Sequence, residues 1–278
     1  MSKESGDHLR GAALAENIHN LLLSLDPSTY DEIAPKIEYW IEFALTERFT
    51  TISDLVEGVS SVAWEINGSK PDTFRFLKEY RDAPYRSQQT RSFVNDLCLR
   101  VLQQFVAASA EDLWSNWHAQ TSPVSKRGGP GFIRAASFVG HLIEHGFLSR
   151  ELVRRYLPEP LTTHYYSKDD FKKQSIRANA IYQLFTTANT LLQGLLDPED
   201  VQICFEKLDT RITIGRVGGL DTLDVVEVEV LCNFYFNTSH RDLPYRPGTP
   251  RDPRYVVAAQ MGGRRSEHEG CRKPPRRG

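Results

Sequence analysis

Residues 131–161 read GFIRAASFVGHLIEHGFLSRELVRRYLPEPL, and this stretch decides the fold class. Its first half repeats apolar residues at steps of three and four, which places them along one side of an α-helix. Gly146 follows as a left-handed helix cap, and Ser149 follows as the N-cap of a second helix that Pro158 and Pro160 end. The buried faces would be Phe132, Ala135, Ala136, Val139, Leu142 and Ile143 in the first helix, and Leu152, Val153, Tyr156 and Leu157 in the second. The stretch therefore predicts a helical hairpin.

The same periodicity extends from this hairpin to most of the chain. It predicts further helices over residues 10–25, 26–45, 51–67, 71–80, 87–108, 175–196 and 197–209. Two of them start with an Asp-Pro pair, in which Asp is the N-cap and Pro the first helical residue, and Pro35 predicts a kink or a short break. Helical hairpins that recur about every 40 residues are typical of HEAT and armadillo-type repeats. We therefore predict an all-α fold, an armadillo/HEAT-type α-solenoid of antiparallel helical hairpins.

The two ends of the chain have a different character. Residues 1–9 are polar, and we expect them to be disordered. The helical domain would span residues 10–212. Beyond it, residues 213–278 hold a short strand-like alternation at Val226, Val228 and Val230, and then a stretch rich in Pro, Gly and Arg. Such a composition buries too little apolar surface to order itself, so we expect a basic, disordered tail.

Charge and cysteine usage limit the function classes. The net charge is −2, but residues 241–278 carry +6 and residues 1–240 carry −8. An acidic body argues against a protein that grips nucleic acid over its whole surface, so any RNA contact would be local or through the tail. The chain has no apolar run of about 18 residues, no signal-peptide pattern and only four widely spaced cysteines (Cys98, Cys204, Cys232 and Cys271). We expect a cytoplasmic protein with reduced thiols.

Four segments, in order, resemble the middle HEAT-repeat domain of eukaryotic initiation factor 4G. They are NLLLSLDPSTYDEIAPKI at 20–37, RSFVNDLCLRVLQQF at 91–105, KRGGPGFIRAASFVGHLIEHGFLS at 126–149 and IRANAIYQLFTTANTLLQ at 176–193. The third segment matches the family's basic, glycine-containing entry and the helix that follows it. The resemblance covers about residues 10–210. The second hairpin departs from the family pattern, and the basic tail stands where the family has a fifth hairpin.

The resemblance implies a non-catalytic eukaryotic scaffold in translation initiation or mRNA metabolism, with no cofactor. Such a domain docks a DEAD-box RNA helicase, mainly through its N-terminal hairpins, where Asp31 and Glu32 are the exposed candidates here. It would contact RNA phosphates through Lys126, Arg127 and Arg134, which flank the glycine-rich entry. A bare protein-interaction HEAT module without RNA or helicase binding stays open as an alternative.

An alternative of another class is a zinc-dependent hydrolase. Residues 141–145, HLIEH, match the H-x-x-E-H pattern, in which two histidines on one helix face bind zinc and the glutamate activates water. Against this, Gly146 ends the helix at once, and a further carboxylate ligand from Glu199 or Glu206 is only a guess. Short motifs of this kind also arise by chance. We interpret His141, Glu144 and His145 as a polar helix edge, and expect neither a metal nor a catalytic site.

Overall fold

A computed structural model of the chain describes residues 3–46, 50–66, 70–84, 88–110, 129–158, 161, 171–206 and 208. No strand occurs among these residues, and most are helical, which confirms the all-α class for this part of the chain. The helices are α1 (Lys3–Ser24), α2 (Tyr30–Thr46), α3 (Ile52–Ser60), α4 (Val62–Glu65), α5 (Pro71–Asp82), α6 (Gln88–Ala110), α7 (Gly129–Glu144), α8 (Arg150–Tyr156) and α9 (Phe171–Leu195). A further helix covers 198–206.

The chain divides after Cys204 into two units, Met1–Cys204 and Phe205–Gly278. Of the second unit, residues 205, 206 and 208 are described. Composition also predicts a loop at 121–130. Its residues 121–128, the tail at 213–278 and the strand-like residues within that tail lie outside the described residues.

Helix ends follow the sequence signals closely. The Thr51 side chain accepts a hydrogen bond from the Asp54 amide and caps α3, and Pro71 is at the first position of α5. The Ser149 hydroxyl accepts from the Leu152 amide over 3.3 Å and caps α8. Gly146 has φ 68° and ends α7. There the Phe147 amide donates to the Leu142 carbonyl over 2.8 Å and the Gly146 amide to Ile143 over 3.0 Å, the pair of bonds of a Schellman cap.

The start of α2 was predicted too early. Asp26 Oδ1 accepts from the Ser28 and Thr29 amides over 2.8 and 3.0 Å, and the Thr29 hydroxyl accepts from the Asp26 amide over 3.2 Å. These reciprocal bonds hold residues 27–29 as a turn, so the helix itself begins at Tyr30. The helix then continues through Pro35 to Thr46, and the predicted short break is absent. Pro35 is exposed, so water can replace the bond that its missing N–H would make.

One predicted helix, 51–67, is two in the structure. The α3 helix ends at Ser60, and α4 resumes at Val62. Ser60 donates its hydroxyl to the Glu57 carbonyl over 2.9 Å, and the Ser61 hydroxyl lies 3.2 Å from His19 Nδ1. Serine hydroxyls that bond back to the helix or to a neighbour compete with the regular backbone pattern, which accounts for the interruption.

Other boundaries also shifted. The α1 helix begins at Lys3, seven residues before the predicted start and within the segment that we expected to be disordered. The α7 helix begins at Gly129, two residues inside the segment that composition assigned to a loop. The α9 helix begins at Phe171, four residues before the predicted start, and has non-helical backbone angles at Ala188.

Helix packing is where the sequence prediction was least accurate. The α7 helix makes its most extensive contact with α9, and not with α8, its neighbour in the predicted hairpin. Gly140 permits this approach, because a Cβ there would lie 2.8 Å from the Thr187 Cβ atom. The α8 helix has only seven residues, and packs on α6 and α9 with Val153 buried. Elsewhere α1 packs against α2, α3 and α4, and α6 against α3, α5 and α7.

Candidate functional site

The outer face of α2 presents three aromatic side chains, Tyr39, Trp40 and Phe43, which we call the aromatic patch. Tyr39 is 57% exposed, and the other two are partly exposed. The Tyr39 ring lies edge-on to Trp40 at 5.1 Å and stacks on Phe43 at 5.8 Å. Exposed, rigid aromatic groups of this kind are enriched where proteins bind each other. The patch is therefore a candidate docking surface.

Sequence reasoning placed Trp40 in the core and did not single out Tyr39 or Phe43. A stricter reading of the helical period would have found them. The buried residues of α2 include Ile37 and Ile41. At 3.6 residues per turn, Tyr39 is on the opposite side of the helix from these two, and Trp40 is at the flank.

The helix that carries the aromatic patch is acidic. The α2 helix contains Asp31, Glu32, Glu38 and Glu42 but a single basic residue, Lys36. Asp31 and Glu32, the predicted helicase-binding residues, are both exposed in its first turn. Lys36 Nζ donates to Glu32 Oε1 over 2.6 Å, and this hydrogen bond lowers the pKa of Glu32. The predicted docking residues and the aromatic patch thus belong to one acidic helix face.

A cluster at the start of α2 fixes this helix against α5. The Tyr30 hydroxyl donates to Glu79 Oε2 over 2.5 Å, and Arg75 Nε donates to Glu79 Oε1 over 2.8 Å. The Arg75 guanidinium also lies 4.0 Å above the Tyr30 ring. Burial, and then the bond to Glu79, raise the pKa of Tyr30 far above its ordinary value. The tyrosine remains a hydrogen-bond donor, and α2 has a defined orientation on the domain.

Of the three predicted RNA-binding residues, Arg134 belongs to the part of the chain that the structure describes. Lys126 and Arg127 lie outside the described residues. Arg134 is on α7, where its Nε donates to the Trp64 carbonyl over 2.7 Å at the end of α4. Burial lowers the pKa of this guanidinium. The bond satisfies a helix-end carbonyl that α4 cannot pair internally, so Arg134 joins α7 to α4.

Arg154, which we interpreted as part of a solvated face, also makes a structural bond. Its Nε donates to the Leu195 carbonyl over 2.9 Å at the end of α9, and a second nitrogen lies 3.9 Å from Asp197. A cation is favourable at a helix C-terminus, where carbonyl groups lack partners within the helix. The Arg154 side chain is exposed, as interpreted, and it also joins α8 to the end of α9.

The residues of the H-x-x-E-H pattern form a compact group at the end of α7. His141 Nδ1 lies 3.0 Å from Glu144 Oε2, and one ligand atom from each of His141, Glu144 and His145 falls within a span of 4.8 Å. The three side chains thus share one side of the last helical turn, as the spacing predicts. We call them the His-Glu cluster.

Phe74 on α5 packs against both histidines of this cluster. Its ring centre lies 4.7 Å from that of His141 and 5.5 Å from that of His145, nearly parallel to the latter. Burial lowers the pKa of His145. The nearby charge of Lys78 also lowers this pKa, whereas the charge of Glu144 raises it. The predicted extra ligands, Glu199 and Glu206, are not in the group that the described residues form.

No protein-family model, curated protein or solved structure matches this chain. Among the described helices, none combines the length and the apolar content that crossing a membrane requires.

Proposed function

We propose that this chain is a non-catalytic scaffold of armadillo/HEAT type in translation initiation or mRNA metabolism, located in the cytoplasm. It docks a DEAD-box RNA helicase through the face of α2 that carries Asp31, Glu32 and the aromatic patch. It contacts RNA locally through its basic entry segment. The observation that carries the proposal is the aromatic patch, because it supplies a binding surface on the helix where the resemblance to the initiation factor 4G domain puts helicase docking.

Helix packing supports the solenoid part of the proposal. The α1 helix packs on α3, α3 on α6, α6 on α7 and α7 on α9, so contacts run from one helix to a later neighbour. Further contacts lead from α2 to α5 and from α5 to α6. Contacts that run from each helix to near neighbours along the chain are typical of stacked helical repeats.

Charge and aromatic content together indicate the chemistry of the docking partner. The four carboxylates of α2 would attract a basic surface and increase the rate of encounter. The aromatic patch would then supply the contact area, since tyrosine and tryptophan frequently dominate interface energetics. A scaffold that binds one conformation of the helicase more tightly shifts its conformational equilibrium without performing chemistry.

The RNA contact of the proposal rests on Lys126 and Arg127, because Arg134 is bonded to the Trp64 carbonyl. Phosphate contacts carry no sequence information and weaken as salt increases. The double substitution Lys126→Ala with Arg127→Ala should lower RNA affinity for all sequences alike and flatten its salt dependence. The same change should leave helicase docking intact. If the natural chain and the double variant bind RNA equally well throughout a salt titration, Lys126 and Arg127 do not contact RNA.

The docking surface can be tested with the full chain, a panel of DEAD-box helicases and an RNA-dependent ATPase assay. Tyr39→Ala should weaken helicase binding by about tenfold or more, a loss of about 1.4 kcal/mol or greater. Asp31→Lys and Glu32→Lys should slow association, most clearly at low salt. Leu191→Ala is the matched control, because Leu191 is the other large exposed apolar residue of the described chain and is on α9.

The outcomes separate the two scaffold hypotheses. If Tyr39→Ala and Leu191→Ala bind the helicase as tightly as the natural chain, the aromatic patch is not the docking surface. If the natural chain neither binds nor stimulates any DEAD-box helicase at micromolar concentration, the bare protein-interaction module replaces the proposal.

A further inference from the structure

We propose that His141, Glu144 and His145 form a binding site for a divalent ion of the zinc class at the C-terminal end of α7. The proposal is independent of helicase docking, which concerns α2. It rests on the type of the three side chains, on the distances between them and on the packing that holds the imidazoles in place.

The ligand types suit this ion. Imidazole nitrogens and a carboxylate oxygen are ordinary zinc ligands, and two histidines with one carboxylate make up a common open zinc site. In a tetrahedral site with bonds of about 2.1 Å, neighbouring ligand atoms are about 3.4 Å apart. The cluster spans 4.8 Å at most, and His141 Nδ1 and Glu144 Oε2 are already 3.0 Å apart. Rotation of the exposed Glu144 side chain, with a small adjustment of the His145 ring against Phe74, can close the remaining gap of about 1.4 Å.

The surroundings restrict the histidines and leave the carboxylate free to move. Phe74 packs on both imidazole rings, and the His141 side chain is 14% exposed. The Glu144 side chain is 46% exposed, so the ion can enter from that side. His141 and then Lys78 on α5 disfavour positive charge at His145, while Glu144 supplies the compensating negative charge. Ligands that are held before the ion arrives lose less entropy on binding it.

The expected role is to hold the helix end and not to hydrolyse a substrate. In the H-x-x-E-H hydrolases the glutamate activates water and is not itself a ligand. Here Glu144 lies beside His141 and would be the third ligand of the ion. It could then not serve as the general base of a hydrolase. An ion bound there would join two successive turns of α7 at its Gly146 cap, next to the Phe74 contact with α5. Zinc should therefore increase the thermal stability of the protein.

Zinc chloride is the probe, added to the metal-free full chain and followed with a competing chromophoric chelator and by thermal unfolding. We expect one ion per chain at this site and a higher Tm in zinc. His141→Ala, His145→Ala and Glu144→Gln should each weaken binding by at least about tenfold and reduce the zinc-dependent rise in Tm. The matched controls are Glu16→Gln, an exposed carboxylate on α1, and His268→Ala, and both should bind zinc as the natural chain does.

Glu144→Gln keeps the test decisive if an alanine variant at the Phe74 contact fails to fold, because this side chain is largely exposed. Equal zinc affinity in the natural chain and Glu144→Gln would overturn the proposal. So would the absence of binding by the natural chain at about 0.1 mM zinc, a concentration at which a useful three-ligand site is occupied.

Discussion

At the scale of the residue, the contacts of Trp64 account for the burial of two polar side chains, Gln104 and Ser60, in the core. Its indole N–H donates to Gln104 Oε1 over 3.4 Å, and its carbonyl accepts from Arg134. Gln104 in turn donates to the Ser60 hydroxyl over 2.8 Å, and the Trp64 ring lies 6.4 Å from that of Phe132. Buried polar groups are tolerated because each finds a partner. Arg134 therefore contributes to the stability of the fold, whatever Lys126 and Arg127 do with RNA.

Cys98 offers a pH-dependent prediction at this scale. It is buried on α6, and burial raises the pKa of its thiol to about 12, which the charge of Arg81 reduces only in part. In the unfolded chain the thiol ionises near 9, so the folded protein retains this proton more tightly between about pH 9 and 12. The free energy of unfolding should fall as pH rises through that range, by at most about 1.4 kcal/mol per pH unit from this group.

Comparison with Cys98→Ala isolates the contribution of the thiol from that of the rest of the protein. The variant should lose less stability between pH 9 and 12 than the natural chain, as measured by denaturant unfolding. At neutral pH, Cys98 should react with a disulfide reagent only as fast as the protein opens. Rapid labelling of Cys98 in the folded protein would contradict the burial on which the prediction depends.

At the scale of the element, local signals predicted several helix ends but not the start of α2 or the interruption between α3 and α4, and they failed to predict how helices pair. Gly146, Ser149 and Pro71 act through atoms within one or two turns, so their effects can be read from a short segment. The α7 and α9 helices are separated by many residues in the sequence, and their pairing depends on which of their surfaces fit together. Nothing in the residues next to Gly140 indicates that α9 packs there. The spacing of His141, Glu144 and His145 on one helix predicted that the three side chains lie together. The contact with Phe74 could not be predicted in this way, because Phe74 is on a different helix.

Gly140 provides the test of that pairing. In Gly140→Ala the new Cβ would lie 2.8 Å from the Thr187 Cβ atom and 3.3 Å from the Leu184 carbonyl oxygen, so α7 and α9 must separate. We expect a loss of about 1–3 kcal/mol in the free energy of unfolding, despite the better helix propensity of alanine. The control is Gly194→Ala, where nothing lies within 4 Å of the new atom and no loss is expected. Equal stability of both variants would show that α7 and α9 do not approach in this way.

At the scale of the whole molecule, the charge distribution separates two parts of the chain. Residues 1–240 carry −8 and residues 241–278 carry +6, although the total is only −2. The described helices belong almost entirely to the unit Met1–Cys204, which contains the aromatic patch and the His-Glu cluster. The acidic α2 helix and the basic residues 241–278 thus belong to different regions of the sequence.

Limited proteolysis tests the boundary that the sequence predicts near residue 212. Residues 213–278 have little helical periodicity and are rich in Pro, Gly and Arg, so we expect trypsin to remove them first. The product should be a helical core that ends close to residue 212, identified by mass spectrometry. It should unfold cooperatively by circular dichroism, because it contains the large buried side chains Trp64, Phe74, Phe105 and Phe185. Cleavage within α6, α7 or α9 at the same rate as cleavage in the tail would place the stable core elsewhere.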